Sequence, residues 1–182
     1  GPLGFFRSKR FDLRVPFPDG AGFKIDDTRA PWLVARHEAS RSTLVLRRWR
    51  EADLVNHEAC EAKARTFRAL PKLDDAAIIE TRTLAVPPDH DTNATVAIIH
   101  PPARKDAAPP PFYGVILAFG GFAHDCFAYA FVTEAEGPQA ETVLAARLVR
   151  MMDGSLARLL ARSDLDPTLE REPAAAPTPR SP

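Results

Sequence analysis

Cysteine is scarce in this chain, and an excess of charge of either sign is missing. Two cysteines in 182 residues cannot make a disulfide-dense scaffold or a four-thiolate metal site. Twenty-four basic side chains balance twenty-four acidic ones. That balance removes the electrostatic case for a nucleic-acid partner or for direct binding to an anionic membrane. No run approaches the ~20 apolar residues that a membrane-spanning helix needs. Ser40, Ser42 and Thr43 lack the surroundings of a nucleophile elbow. Gly20-Ala21-Gly22 and Gly120-Gly121 lack the strand–loop–helix setting of a phosphate cradle. With no paired acid and base in evidence, the expectation is a protein that is not an enzyme and needs no cofactor.

What is present begins with periodicity. Phe11-Asp12-Leu13-Arg14-Val15 alternates as a half-buried strand does, and Pro16 and Pro18-Asp19-Gly20 stop it. Phe23 to Ile25 reads as another short strand. Trp32 to His37 and Thr43 to Trp49 read as a hairpin with Leu44 and Leu46 on one face and Val45, Arg47 and Trp49 on the other. From Asp53, a candidate N-cap, to about Ala69 the period becomes helical. His57, Cys60, Ala64 and Phe67 share one face of that helix. Ile78 to Val86 and Ala94 to Ile99 form a further strand pair. The proline-rich stretch from Pro101 to Pro111 reads as an exposed loop. Tyr113 to Phe119 and Asp125 to Thr133 make another hairpin, with Gly120-Gly121 as its expected turn. Pro138 opens a second helix striped by Val143, Leu144, Leu148, Met151 and Met152.

The fold class expected is α+β, an antiparallel sheet of about six strands with a helix packed on each side. Residues 1–10 read as a tag remnant (Gly1-Pro2-Leu3-Gly4) and an N-terminal arm. Residues 11–165 form one domain, and residues 166–182 form a Pro/Ala-rich tail, flexible by composition. A cleaved tag would have replaced any export signal or lipid-attachment segment, so the only membrane link expected is through a missing N-terminal anchor.

The cysteines carry the compartment argument. Cys60 lies on the helical stripe and Cys126 in a strand. Three outcomes fit: a disulfide, two buried thiols, or a zinc site with His57 and His124, which stand three and two residues before them. The disulfide is the leading expectation and points to the periplasm or another extracytoplasmic space. His37, His90 and His100 fall at hairpin ends and are expected in solvent, as is the turn at Asp89-His90-Asp91. Arg47, Arg48 and Arg50 flank Trp49, either as a binding patch or as a sheet edge salted by Glu51 and Asp53. Phe5 and Phe6 precede any regular element and mark a contact, with the domain itself or with a partner.

The order of elements over residues 11–162, with an opening strand before Pro18-Asp19-Gly20 and a long helix after the last hairpin, resembles the PsbP-like and DcrB-like superfamily. That resemblance implies binding to another protein, as an extracytoplasmic lipoprotein, an accessory subunit of an envelope complex or a secretion chaperone. The leading expectation is therefore an extracytoplasmic protein-binding module, with Phe5, Phe6, Arg47, Arg48 and Trp49 as candidate contacts. The alternative is a cytosolic chaperone or adaptor of a secretion system.

Overall fold

Strands dominate because alternation dominates. The structure, a computed structural model, describes residues 4–18, 22–28, 31–67 and 70–161. The tail at 166–182 and the turn at Asp19-Gly20 lie outside them. Among the described residues the chain forms β1 (Gly4–Ser8), β2 (Leu13–Phe17), β3 (Phe23–Asp26), β4 (Leu33–His37) and β5 (Ser42–Arg50). Helix α1 (His57–Ala64) follows, then β6 (Ile78–Val86), β7 (His90–Ile99), β8 (Phe112–Phe122) and β9 (Asp125–Ala135). Helix α2 (Ala140–Gly154) and β10 (Leu160–Ala161) complete it.

The strands sort into two antiparallel sheets. Seven strands run in the order β3-β4-β5-β9-β8-β7-β6, and three in the order β1-β2-β10. The sheet content thus exceeds the six strands expected. Part of the excess is β1: the supposed arm at residues 5–8 pairs with β2, Phe5 opposite Pro16 and Phe6 opposite Val15.

Alternate residues of the central strands feed two cores. Leu44 and Leu46 of β5, Ile116 and Ala118 of β8, and Phe127, Tyr129 and Phe131 of β9 share one core. It includes Leu148, Met151 and Met152 of α2 and Leu13, Val15 and Phe17 of the small sheet. Leu117, Phe119, Ala128 and Ala130 belong to the other, with Trp32 and Ala64 of α1. Val143, read as part of the α2 stripe, is exposed instead. In the first core the buried Tyr129 hydroxyl donates to Ser155 Oγ at 2.9 Å. Burial pushes its phenol up in pKa, against the pull of that hydrogen bond.

Two expectations fail for backbone reasons. Helix α1 starts at His57, because residues 51–55 are taken up by the β8–β9 hairpin. The Glu51 N–H donates to the His124 carbonyl and the Val55 N–H to the Ala123 carbonyl, each at 2.8 Å. The cap is Asn56 rather than Asp53; its side chain accepts from the Ala59 N–H at 2.9 Å. Asp91 accepts from the His57 N–H at 3.0 Å.

Gly120 and Gly121 are likewise not the turn. They lie inside β8, opposite Phe127 and Cys126, and the chain reverses at Ala123-His124. Here glycine makes room. A Cβ on Gly121 would stand 2.8 Å from the Asn56 carbonyl carbon and oxygen, so the bare backbone lets the start of α1 sit against the sheet. Gly121→Ala is expected to destabilise the fold by about 1–3 kcal/mol, because backbone cannot step aside as a side-chain tip can. Urea unfolding measures it; a loss below about 0.5 kcal/mol would mean that α1 is not seated this closely.

Candidate functional site

The two sulfurs meet. Cys60 of α1 and Cys126 of β9, both fully buried, form a disulfide with Cα atoms 5.5 Å apart. Both sulfurs are used in that bond, so the zinc set of His57, Cys60, His124 and Cys126 does not form. The His124 Nδ1–H donates to the Asp53 carbonyl at 3.1 Å. Among the described residues no group of three or more His, Cys, Asp or Glu side chains is arranged to hold a metal.

Adjacent to Cys126, Asp125 turns to the opposite face and anchors a buried polar network. Its carboxylate accepts from Arg48 Nε at 2.8 and 3.0 Å and meets His90 Nε2 at 2.7 Å. Arg48 Nη1 donates to the carbonyls of Phe11 and Asp12 at 3.1 and 2.8 Å. Burial alone pushes the Asp125 carboxyl up; the hydrogen bonds and charges of His90 and Arg48 outweigh it and hold the pKa below the usual carboxylate value. This overturns two expectations. His90 is buried at 3% exposure, between the rings of Phe122 and Phe127, not in solvent. Arg48 ties the small sheet to the large one and presents no binding surface.

Phe5 and Phe6 are also buried, at 7% and 6% exposure. The Arg14 guanidinium lies 4.1 Å from the Phe5 ring centre. These two phenylalanines are packing residues rather than contacts for a partner.

Arg47 and Trp49 point the other way from Arg48 and remain half-exposed. The Arg47 guanidinium lies over the Phe67 ring at 3.8 Å and 5.9 Å from Trp32. Trp32 and Trp49 meet the same Phe67 edge-on, at 5.9 and 5.2 Å between ring centres. Burial first and the charge of Arg10 second lower the Arg47 pKa. No carboxylate pairs with Arg47 among the described residues. The salted edge with Glu51 and Asp53 is not what forms here.

A further polar cluster, unforeseen from sequence, lies at the β4–β5 hairpin tip. His37 Nδ1 accepts from the Ser40 N–H at 3.2 Å and meets the Ser40 hydroxyl at 2.7 Å. Ser40 Oγ meets Ser42 Oγ at 2.8 Å, and Ser42 donates to Thr133 Oγ1 at 2.9 Å. A histidine that accepts from the same serine's backbone locks a turn; it is not poised as a base that frees a nucleophile. Arg147 of α2 reaches into the cluster, and its Nη1 donates to the Ser40 carbonyl, Thr133 Oγ1 and the Glu134 carbonyl at 2.9, 2.9 and 2.8 Å. His100, at the far end of β7, is exposed and pairs with Glu141.

No protein-family model matches this chain, and no curated protein does. Among solved structures, a crystal structure from Bacteroides thetaiotaomicron VPI-5482 at 1.50 Å resolution is similar, with a TM-score of 0.50 and 9% identity. The match covers 87% of this chain and 48% of that one, so this chain spans about half the length of that protein. At such identity the likeness is one of fold alone: α and β elements dominated by antiparallel sheet. No helix among the described residues is long and apolar enough to cross a membrane.

Proposed function

We propose that this chain is a non-enzymatic protein-binding module that works outside the reducing cytosol, as the soluble part of a lipoprotein or as an accessory subunit of an envelope complex. We read its architecture as PsbP-like, with α1 against one face of the seven-stranded sheet and α2 against the other. The observation that carries the binding role is Arg47, 3.8 Å over the Phe67 ring that Trp32 and Trp49 meet edge-on, with no carboxylate paired to it among the described residues. Tryptophan and arginine around a half-exposed aromatic are the composition of an interface centre, and the uncompensated guanidinium suits an acidic side chain on the partner. The Cys60–Cys126 bond supports the compartment.

Arg47→Ala is expected to weaken capture of the partner from an envelope extract by at least about tenfold. It should change folding stability by only about 0.5–1 kcal/mol, the worth of an exposed cation–π contact. A wild-type chain that captures nothing from the envelope, and fractionates with the cytosol, overturns the proposal.

A cytosolic chaperone or adaptor is the second reading. An open groove of about 480 Å³ lined by Pro109, Pro110, Phe112 and Ala140 favours it, and the disulfide weighs against it.

A further inference from the structure

We propose that the cavity at the β4–β5 hairpin tip binds a single carboxylate on a short apolar stem, with Arg147 as its receptor. The cavity measures about 120 Å³ and lies between the hairpin tip, β9 and α2. Phe23, Phe131 and Met151 give it an apolar wall; Arg147, Arg150 and Ser42 give it a polar one.

Arg147 is already set for this task. Three oxygens hold its Nη1, which fixes the guanidinium plane without any ligand. The remaining donors, on Nε and Nη2, have no partner among the described residues. Those two nitrogens form the side-on edge that takes a carboxylate through two parallel hydrogen bonds. None of the three fixed contacts is to a carboxylate, so the cation is solvated by dipoles and its charge is not neutralised by them. Burial and the neighbouring Arg150 both disfavour that charge, and an anion in the cavity would relieve both.

Size and wall chemistry narrow the class. A cavity of roughly 150 Å³ accepts a benzene-sized molecule. The space here is somewhat smaller and suits a carboxylate with a few carbons behind it. An acidic side chain or chain terminus of a protein partner and a free short-chain acid share that chemistry.

The test is titration of the full chain with sodium butyrate, with butyramide and with inorganic phosphate at constant ionic strength, followed by the Met151 methyl resonance. Butyrate is expected to shift it saturably with a Kd on the order of 1 mM, the range open to so small a ligand. Butyramide, the same shape without charge, is expected to leave it unmoved. Arg147→Lys keeps a cation but loses the fork, and should weaken butyrate at least tenfold in a folded protein. Met151→Phe, which fills the cavity and leaves every arginine in place, should abolish the butyrate-dependent shift of the Arg147 Nε–H resonance, which moves in wild type together with the Met151 methyl. A short peptide ending in a free carboxylate that displaces butyrate, where its amidated form does not, would assign the source to a protein partner. Failure of the peptide to compete would assign it to the free acid, and either result supports the site. Butyrate without a saturable shift, butyramide or phosphate acting as strongly as butyrate, or Arg147→Lys binding like wild type would each overturn the proposal.

Discussion

Replacing Cys60 and Cys126 together by alanine is expected to remove about 4 kcal/mol of stability, because the bond closes a loop of 66 residues in the unfolded chain. For a chain of this size that is a fall in Tm of about 8–16 °C. The loss should exceed that from most single core substitutions, since the bridge is the covalent tie of α1 to the sheet and its other ties, at Asp91 and Gly121, lie at its first turn. The helix is eight residues long and buries only Cys60 and Ala64. A helix that short does not persist in water by itself. Without the bridge, α1 should therefore also exchange its amide hydrogens faster than the sheet does. Thermal melts of the oxidised wild type and the double variant measure the first effect, and hydrogen exchange the second. A double variant melting within about 2 °C of wild type would mean that the bond does not constrain the chain as described.

Asp125→Asn should cost about 3–5 kcal/mol, the range for stranding one member of a buried ion pair. Arg48 and Asp125 are only 13% and 9% exposed in their side chains. The variant removes the Asp125 charge from beside the buried Arg48 guanidinium, while the two carbonyls that Arg48 also contacts stay in place. Arg48→Met paired with Asp125→Leu is expected to recover only part of the loss: the ion pair no longer owes desolvation, but buried His90 Nε2 and the Phe11 and Asp12 carbonyls lose the partners described above.

The pH dependence follows from the direction of the Asp125 shift. Its folded pKa lies below the unfolded value, so the folded state binds fewer protons as the carboxyl titrates. The contribution is complete above the unfolded carboxylate range, near pH 4, and is lost as pH falls through the lower folded value. Urea midpoints taken from pH 6 down to pH 2 should fall less steeply in Asp125→Asn than in wild type; parallel curves would remove the carboxylate from the account.

Much of the sheet could be read from the sequence, because strand faces are a local property. The split of Leu44 and Leu46 from Val45, Arg47 and Trp49 is visible in seven residues and reappears as two separate cores. The cysteine pair was legible for a similar reason: each cysteine sits in a locally periodic apolar stretch, and two cysteines allow a single pairing. What could not be read depends on distant partners. Phe5 to Ser8 has no alternation, and becomes a strand only because β2 offers it an edge. The helix cap is Asn56 rather than Asp53 because the tip of a hairpin about seventy residues later claims the backbone before it.

His90 did leave a signal. His90, Thr92, Ala94 and Val96 are alternate residues of β7 and all are buried. Starting that strand at Ala94 hid the histidine's place in the series. Arg147 left none: Ser40, which it holds, is 107 positions away, and an arginine on a helix ordinarily reads as a solvated face.

The dipeptide Asp125-Cys126 has a consequence for how β9 can be laid into the sheet. Sliding that strand by a single position would hand the sulfur to Arg48 and carry the carboxylate under α1. Neither neighbour could use what it received, and the covalent and ionic fastenings would fail at once. Slippage at the centre of the seven strands is thereby penalised twice, by two adjacent side chains that tolerate only one alignment.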